Sequence, residues 1–255
     1  MNIKHLSLNQ NASVTFYQRE NPRKDRQSMP AIIICPGGGY KHISVRESEP
    51  LALAFLAQVF QVFVLSYSVM DKGIVDNILP QAYQELENTF ELIYSNHREW
   101  EIDCKNIFLL GCSAGGHLAA WYSNQNDTYK PKGTLLCYPV TSLELGWPKD
   151  ISHLHLKNNH LATYDTCQMV SNKTPETFIW HTGDDKTVPI INSLKYCEQL
   201  SNYNIPFEAH FFESGPHGLS LANSSSAPSN EFINHDVARW FSWAVDWLDR
   251  KIKVQ

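Results

Sequence analysis

Ser113 stands at the centre of Gly111-Cys112-Ser113-Ala114-Gly115, the G-x-S-x-G spacing that lifts a serine hydroxyl above a sharp backbone turn. Asp185 and His217 follow it, and serine, acid, histidine is one of the chain orders in which a nucleophile, its carboxylate and its base occur. The chemistry open to such a set is acyl transfer. The histidine takes the serine proton as the hydroxyl attacks a carbonyl, and the carboxylate holds the imidazole in one tautomer. The elements around the serine suit that task. Asn106-Ile107-Phe108-Leu109-Leu110 reads as a buried strand, and Gly116-His117-Leu118-Ala119-Ala120-Trp121-Tyr122 can start a helix. A serine at a strand-to-helix corner takes a sparsely populated conformation in which nearby Cβ atoms clash. That accounts for Gly111 and Gly115, and for the small Cys112 and Ala114.

The acid and the base also follow strands. Thr177-Phe178-Ile179-Trp180-His181 is an apolar strand, and Gly183-Asp184-Asp185-Lys186-Thr187-Val188-Pro189 leaves its C-terminal end, where open α/β sheets place their chemistry. Of the two aspartates, Asp185 has the spacing to Pro189 expected of the acid, and Asp184 is expected to cap the turn. Phe207-Glu208-Ala209-His210-Phe211-Phe212 is a further strand, followed by Gly215-Pro216-His217-Gly218-Leu219. A histidine in that Gly/Pro-rich loop is free to reach the serine. The other ten histidines are expected at the surface or in local hydrogen bonds.

Donors for a developing oxyanion are expected in Pro36-Gly37-Gly38-Gly39-Tyr40, at the end of the apolar strand Ala31-Ile32-Ile33-Ile34-Cys35. Consecutive glycines let backbone N–H groups approach a substrate that side chains would keep away. Gly38 and Gly39 are the candidate donors, together with Ala114 at the helix start, whose partial positive charge has the right sign.

These stretches, with Arg46-Glu47-Ser48-Glu49-Pro50 and Val62-Phe63-Val64-Leu65-Ser66-Tyr67, resemble the small α/β-hydrolases known as acetylxylan esterases, acetyl esterases or lipase/esterase proteins, relatives of the prolyl-oligopeptidase-like hydrolases. The resemblance covers about residues 30 to 250. It implies Ser113 as nucleophile, Asp185 as acid and His217 as base, in agreement with the residues themselves. It further implies short acyl groups, acetyl above all, on a sugar or small oligosaccharide. One departure is visible: Ser68 follows Tyr67 where relatives usually carry arginine.

The order of elements predicts an α/β fold with a mostly parallel central sheet and helices on both faces. Strands are expected at 3–8, 13–17, 31–35, 62–67, 107–112, 134–138, 178–181 and 207–212, the first two antiparallel. Helices are expected near 48–58, 80–97, 116–124, 190–203 and 234–251, and residues 1–255 are read as one domain. Residues 141–175, between two strands, can roof the site as a lid or specificity segment. Tyr40 and Trp147 are aromatic candidates for stacking on a sugar or aryl group, each equally suited to packing. His153, His155 and His160 invite a metal hypothesis, but no carboxylate or cysteine pattern completes a ligand set, so neither metal nor cofactor is expected.

A net charge of −5 disfavours nucleic acid and anionic membranes as partners, and no apolar run approaches a membrane span. The first residues lack the apolar core of a signal peptide, and six cysteines show neither C-x-x-C pairing nor metal-ligand spacing. A reduced, cytoplasmic setting is expected, with a small-molecule ester as partner; a homo-oligomer is compatible with all of this. Two alternatives stand beside ester hydrolysis. A prolyl-oligopeptidase-like peptidase shares the residue order, although only about thirty residues precede the first core strand, too few for a peptide-selecting domain. A non-catalytic binding protein of this fold would commonly have lost one of the three residues, and all three are present.

Overall fold

Two antiparallel strands, β1 (Asn2–Ser7) and β2 (Ser13–Gln18), open the chain. Six more follow: β3 (Met29–Cys35), β4 (Gln61–Ser66), β5 (Ile102–Cys112), β6 (Gly133–Cys137), β7 (Glu176–Thr182) and β8 (Phe207–Phe212). In the computed structural model, which describes residues 1–22, 25, 27–73, 78–154, 156 and 161–252, all of these join one sheet. Its order is β1-β2-β4-β3-β5-β6-β7-β8, with β2 antiparallel to β4 and every pair from β4 to β8 parallel.

The parallel strands are continuous apolar runs because both faces are covered. Alternate residues of β3 divide accordingly. Ile33 packs with α2 (Ile78–Asn96), α3 (Ala114–Gln125) and α4 (Ile191–Asn202), while Ile32 and Ile34 pack with α1 (Glu49–Ala57) and, after the short α5 (His235–Ala238), with α6 (Trp240–Lys251). None of the described helices is long and apolar enough to cross a membrane.

Several boundaries differ from expectation, three of them as follows. β5 starts at Ile102, paired with Met29, five residues early; the partly exposed Asp103-Cys104-Lys105 hides that start from an apolar pattern. α3 starts at Ala114, directly after the serine. The single helix expected over 234–251 is two, divided at Arg239, the first of them capped by the Asn234 side chain accepting from Asp236 and Val237 N–H groups.

The described residues of the segment 141–175 include two 3₁₀ turns, Ile151–Leu154 and Leu161–Tyr164. Buried polar contacts root its ends. Thr141 N–H donates to Asn192 Oδ1 at 3.0 Å, Ser142 Oγ donates to Asp165 at 2.9 Å, and Thr166 Oγ1 donates to the Thr141 carbonyl at 2.7 Å. His155 and His160 of the metal hypothesis lie outside the described residues. Among the described residues no group of three or more His, Cys, Asp or Glu is arranged to hold a metal ion.

Candidate active site

β5 delivers Ser113 to the carboxyl edge of the sheet, and α3 leaves immediately after it. Ser113 has φ 55° and ψ −119°, a conformation costing on the order of 1–3 kcal/mol that its surroundings must impose. Its N–H donates to the Cys137 carbonyl at 3.0 Å, and its carbonyl accepts from Val140 at 3.1 Å and His117 at 3.2 Å. The glycines beside it are required by crowding. A Cβ on Gly115 would fall against the carbonyl oxygens of Cys35 and Pro36, and one on Gly111 against the Gly115 carbonyl.

Ser113 Oγ lies 2.7 Å from His217 Nε2, and His217 Nδ1 lies 2.6 Å from Asp185 Oδ2. The Asp185 side chain is wholly buried, whereas that of His217 is 16% exposed. Asp185 Oδ1 accepts from the N–H groups of Thr187 at 2.8 Å and Val188 at 3.0 Å. Burial pushes the Asp185 carboxyl up, but hydrogen bonds from His181 and His217 outweigh it and hold the group well below the usual carboxylate range. With Asp185 ionised, His217 Nδ1 carries a proton and Nε2 is free to take one from Ser113. Asp184 Oδ1 instead accepts from Gly215 N–H at 2.7 Å, tying the acid loop to the histidine loop.

A second imidazole shares the acid. His181, fully buried at the end of β7, has Nε2 3.2 Å from Asp185 Oδ2 and 3.0 Å from the Val188 carbonyl. Both partners are acceptors, so Nε2 bears the proton; Nδ1 meets Ser193 Oγ at 2.7 Å. His117 is likewise buried, and burial pushes its imidazole down to about 4. In its neutral form Nε2–H donates to the Tyr164 carbonyl at 2.7 Å, and Nδ1 accepts from Tyr40 O–H at 2.9 Å. The expectation of surface or local roles for the histidines besides His217 fails at His117, whose partners lie 77 and 47 positions away, whereas His181, though fully buried, bonds within 12 positions of itself.

In the glycine turn, Gly37 N–H donates to Glu47 Oε2 at 2.7 Å. The N–H groups of Gly38, Gly39 and Ala114 donate to no protein acceptor among the described residues. Glu47, 3% exposed, also accepts from Tyr138 O–H at 2.7 Å, and that hydroxyl accepts from Ser220 N–H at 3.1 Å. The Tyr138 ring meets the His217 ring edge-on, 5.1 Å between centroids. One buried carboxylate thus connects the glycine turn to the loop that carries His217. Neither Glu47 nor His181 stands out as functional in the sequence, although Glu47 lies within the Arg46-Glu47 stretch that carries the resemblance.

The two aromatic candidates part company. Tyr40 (φ 59°) turns into the core, has no exposed surface and packs on Tyr67, so it cannot stack on a substrate; the expectation is corrected. Trp147 is half-buried and, with Gly38 and Gly39, lines a cavity of about 610 Å³. The missing arginine after Tyr67 also has a counterpart. Ser68 gives its N–H (2.7 Å) and its hydroxyl to the buried Glu85 carboxylate, which Asn9 Nδ2 meets at 2.9 Å.

Residues 94–251 match the model of the prolyl oligopeptidase family, and residues 20–139 match BD-FAE. A sugar hydrolase from Lactococcus lactis is 56% identical with a TM-score of 0.94, over 98% of each chain. A carboxylesterase from Lactobacillus plantarum is 29% identical with a TM-score of 0.90, again over 98% of each chain. An acetylxylan esterase from Xylanibacter ruminicola is 28% identical over 85% of this chain and 45% of its own length. The chain spans less than half the length of the curated relatives it matches, 33% of one and 45% of the other. The chain therefore belongs to the prolyl oligopeptidase family, as an esterase-like α/β-hydrolase.

Proposed function

We propose that the chain is a serine carboxylesterase that hydrolyses short-chain esters, acetyl above all, on a sugar or small oligosaccharide. One observation carries this reading: the unbroken line from Ser113 Oγ through His217 to the ionised Asp185, beside three N–H groups that have no protein acceptor among the described residues. His217 takes the Ser113 proton as the hydroxyl attacks the ester carbonyl. The N–H groups of Gly38, Gly39 and Ala114 receive the oxyanion, each such donor being worth about 3 kcal/mol. The imidazolium, stabilised by Asp185, protonates the departing alcohol. Water, with His217 again as base, then releases the acid from Ser113. The names of relatives, a carboxylesterase and an acetylxylan esterase, support ester chemistry and the acetyl group. Six cysteines without a disulfide suit a reducing compartment, the cytoplasm.

A serine-directed fluorophosphonate should label Ser113 once per chain, and Ser113→Ala should lose both labelling and turnover of short aryl acetates by orders of magnitude. Unchanged turnover in a folded Ser113→Ala protein would sink the proposal. The family name keeps a peptidase as the second reading. Wild-type protein should cleave an acetyl ester and leave a matched peptide amide intact, and the reverse preference would establish the peptidase.

A further inference from the structure

Three loops that build the proposed site each contribute a lysine to one cavity. Lys41 follows the glycine turn, Lys186 follows Asp185, and Lys149 comes from the segment between β6 and β7. All three are exposed, and all three line the cavity of about 610 Å³ that Gly38, Gly39 and Trp147 also line. None of them has an ion-pair partner among the described residues. Several lysines elsewhere do: Lys173 and Lys130 with Asp127, Lys195 with Glu198, Lys251 with Glu176.

The chain as a whole is acidic, 26 Asp and Glu against 21 Lys and Arg, so the cluster runs against the composition. Among the described residues Asp150 is the one acid in the lining, and its Oδ1 already accepts from Ser152 N–H. A concave wall bearing one sign of charge concentrates the opposite sign from solution. Ammonium groups on separate loops suit a carboxylate or phosphate that moves between several donors.

We infer that Lys41, Lys149 and Lys186 form a subsite for an anionic group, a carboxylate or a phosphate, on the alcohol half of the ester. The inference rests on the esterase reading. With an acetyl group on Ser113, the volume beyond Gly38 and Gly39 belongs to the rest of the substrate, its ring against Trp147 and its charge among the lysines.

The test compares three aryl acetates alike in size: 4-acetoxybenzoate, 4-acetoxyphenyl phosphate and the neutral 4-acetoxybenzamide. The quantity read is the ratio of kcat/KM for each anion to that for the amide. At low salt, Lys41→Gln/Lys149→Gln/Lys186→Gln should lower this ratio about tenfold. In wild type the ratio should fall by a similar factor between about 0.02 and 0.5 M salt, as screening shortens the reach of the charges. The larger of the two wild-type ratios names the anion, carboxylate or phosphate. The salt series needs no variant, so an unfolded triple mutant leaves the test intact. A ratio that neither salt nor the substitutions move overturns the subsite.

Calorimetry with 4-hydroxybenzoate, 4-hydroxyphenyl phosphate and 4-hydroxybenzamide reads the cavity without turnover. At least one anionic phenol should bind about tenfold more tightly than the amide. Equal binding of all three overturns the subsite even in an active esterase. Failure to hydrolyse any of the acetates counts against the esterase reading alone.

Discussion

Asp185 Oδ2 takes hydrogen bonds from two imidazoles, and its Oδ1 takes two from backbone N–H groups. An amide in its place accepts on one side only and presents hydrogens on the other. Asp185→Asn should therefore hold His217 in the wrong tautomer and cost on the order of 10⁴ in turnover. Asp184→Asn keeps an acceptor for Gly215 N–H and should cost far less. Steady-state rates on a short aryl acetate separate the two, and the opposite ranking would move the acid to Asp184. The same residues show what a sequence discloses at this scale. Ser113, Asp185 and His217 each stand in a loop after a strand, so local context suffices to propose them, and the structure brings the three within hydrogen-bonding distance in a line. Glu47 and His181 owe their roles to partners: Glu47 meets Tyr138, 91 positions away, and His181 is defined by its burial against Ser193 and Asp185. No local pattern encodes the meeting of Glu47 with Tyr138, and it is burial rather than sequence distance that sets His181 apart.

At the scale of elements, His117 fastens α3 to the glycine turn through Tyr40 and to the 141–175 segment through Tyr164. Its imidazole is neutral in the folded protein, with burial lowering it from 6.5 to about 4. Below pH 6.5 the unfolded chain binds a proton that the folded one excludes. This contribution is therefore constant above pH 6.5 and is lost as pH falls from 6.5 to 4, by about 3 kcal/mol in all. Urea midpoints of wild type should drop across that window more steeply than those of His117→Gln, which starts less stable but lacks this titration. Parallel pH profiles would show that His117 titrates normally when folded. The strands were legible as elements because parallel strands covered on both faces are apolar throughout, as in Ala31 to Cys35. The start of β5 and the break at Arg239 were not: Asp103 and Lys105 interrupt the first pattern, and the apolar spacing from Val237 to Leu248 runs unbroken across the second. The sequence leaves Tyr40 open between stacking and packing for a related reason, since a ring after three glycines gives no sign of which way the backbone will turn it.

At the scale of the whole molecule, the proposed function sets the two halves of an ester in competition for one large space beside the glycine turn. Met70, Trp147 and Leu154 give the cavity apolar surface that an acyl chain could use, and its lysines suit a charged alcohol instead. A series of esters with a common alcohol decides between them. Were the acyl chain to enter the cavity, each added methylene would bury about 0.8 kcal/mol of apolar surface, raising kcat/KM roughly fourfold per carbon until the space filled. Were the acyl group confined to the ground next to Ser113, added carbons would meet packed protein and pay for displacing it, typically 1–3 kcal/mol. The proposed function requires the second outcome. The specificity constant should fall from acetyl to butyryl and be very low by octanoyl. Trp147→Ala, which enlarges the alcohol side, should alter KM for bulky alcohols while leaving the order of acyl preference as it was. Tyr40, buried beneath the turn, is not a wall of the acyl site, so its truncation should lower stability without shifting that order. An optimum at eight carbons would give the cavity to the acyl chain, and the acetyl-sugar assignment would have to be abandoned for a lipase-like one.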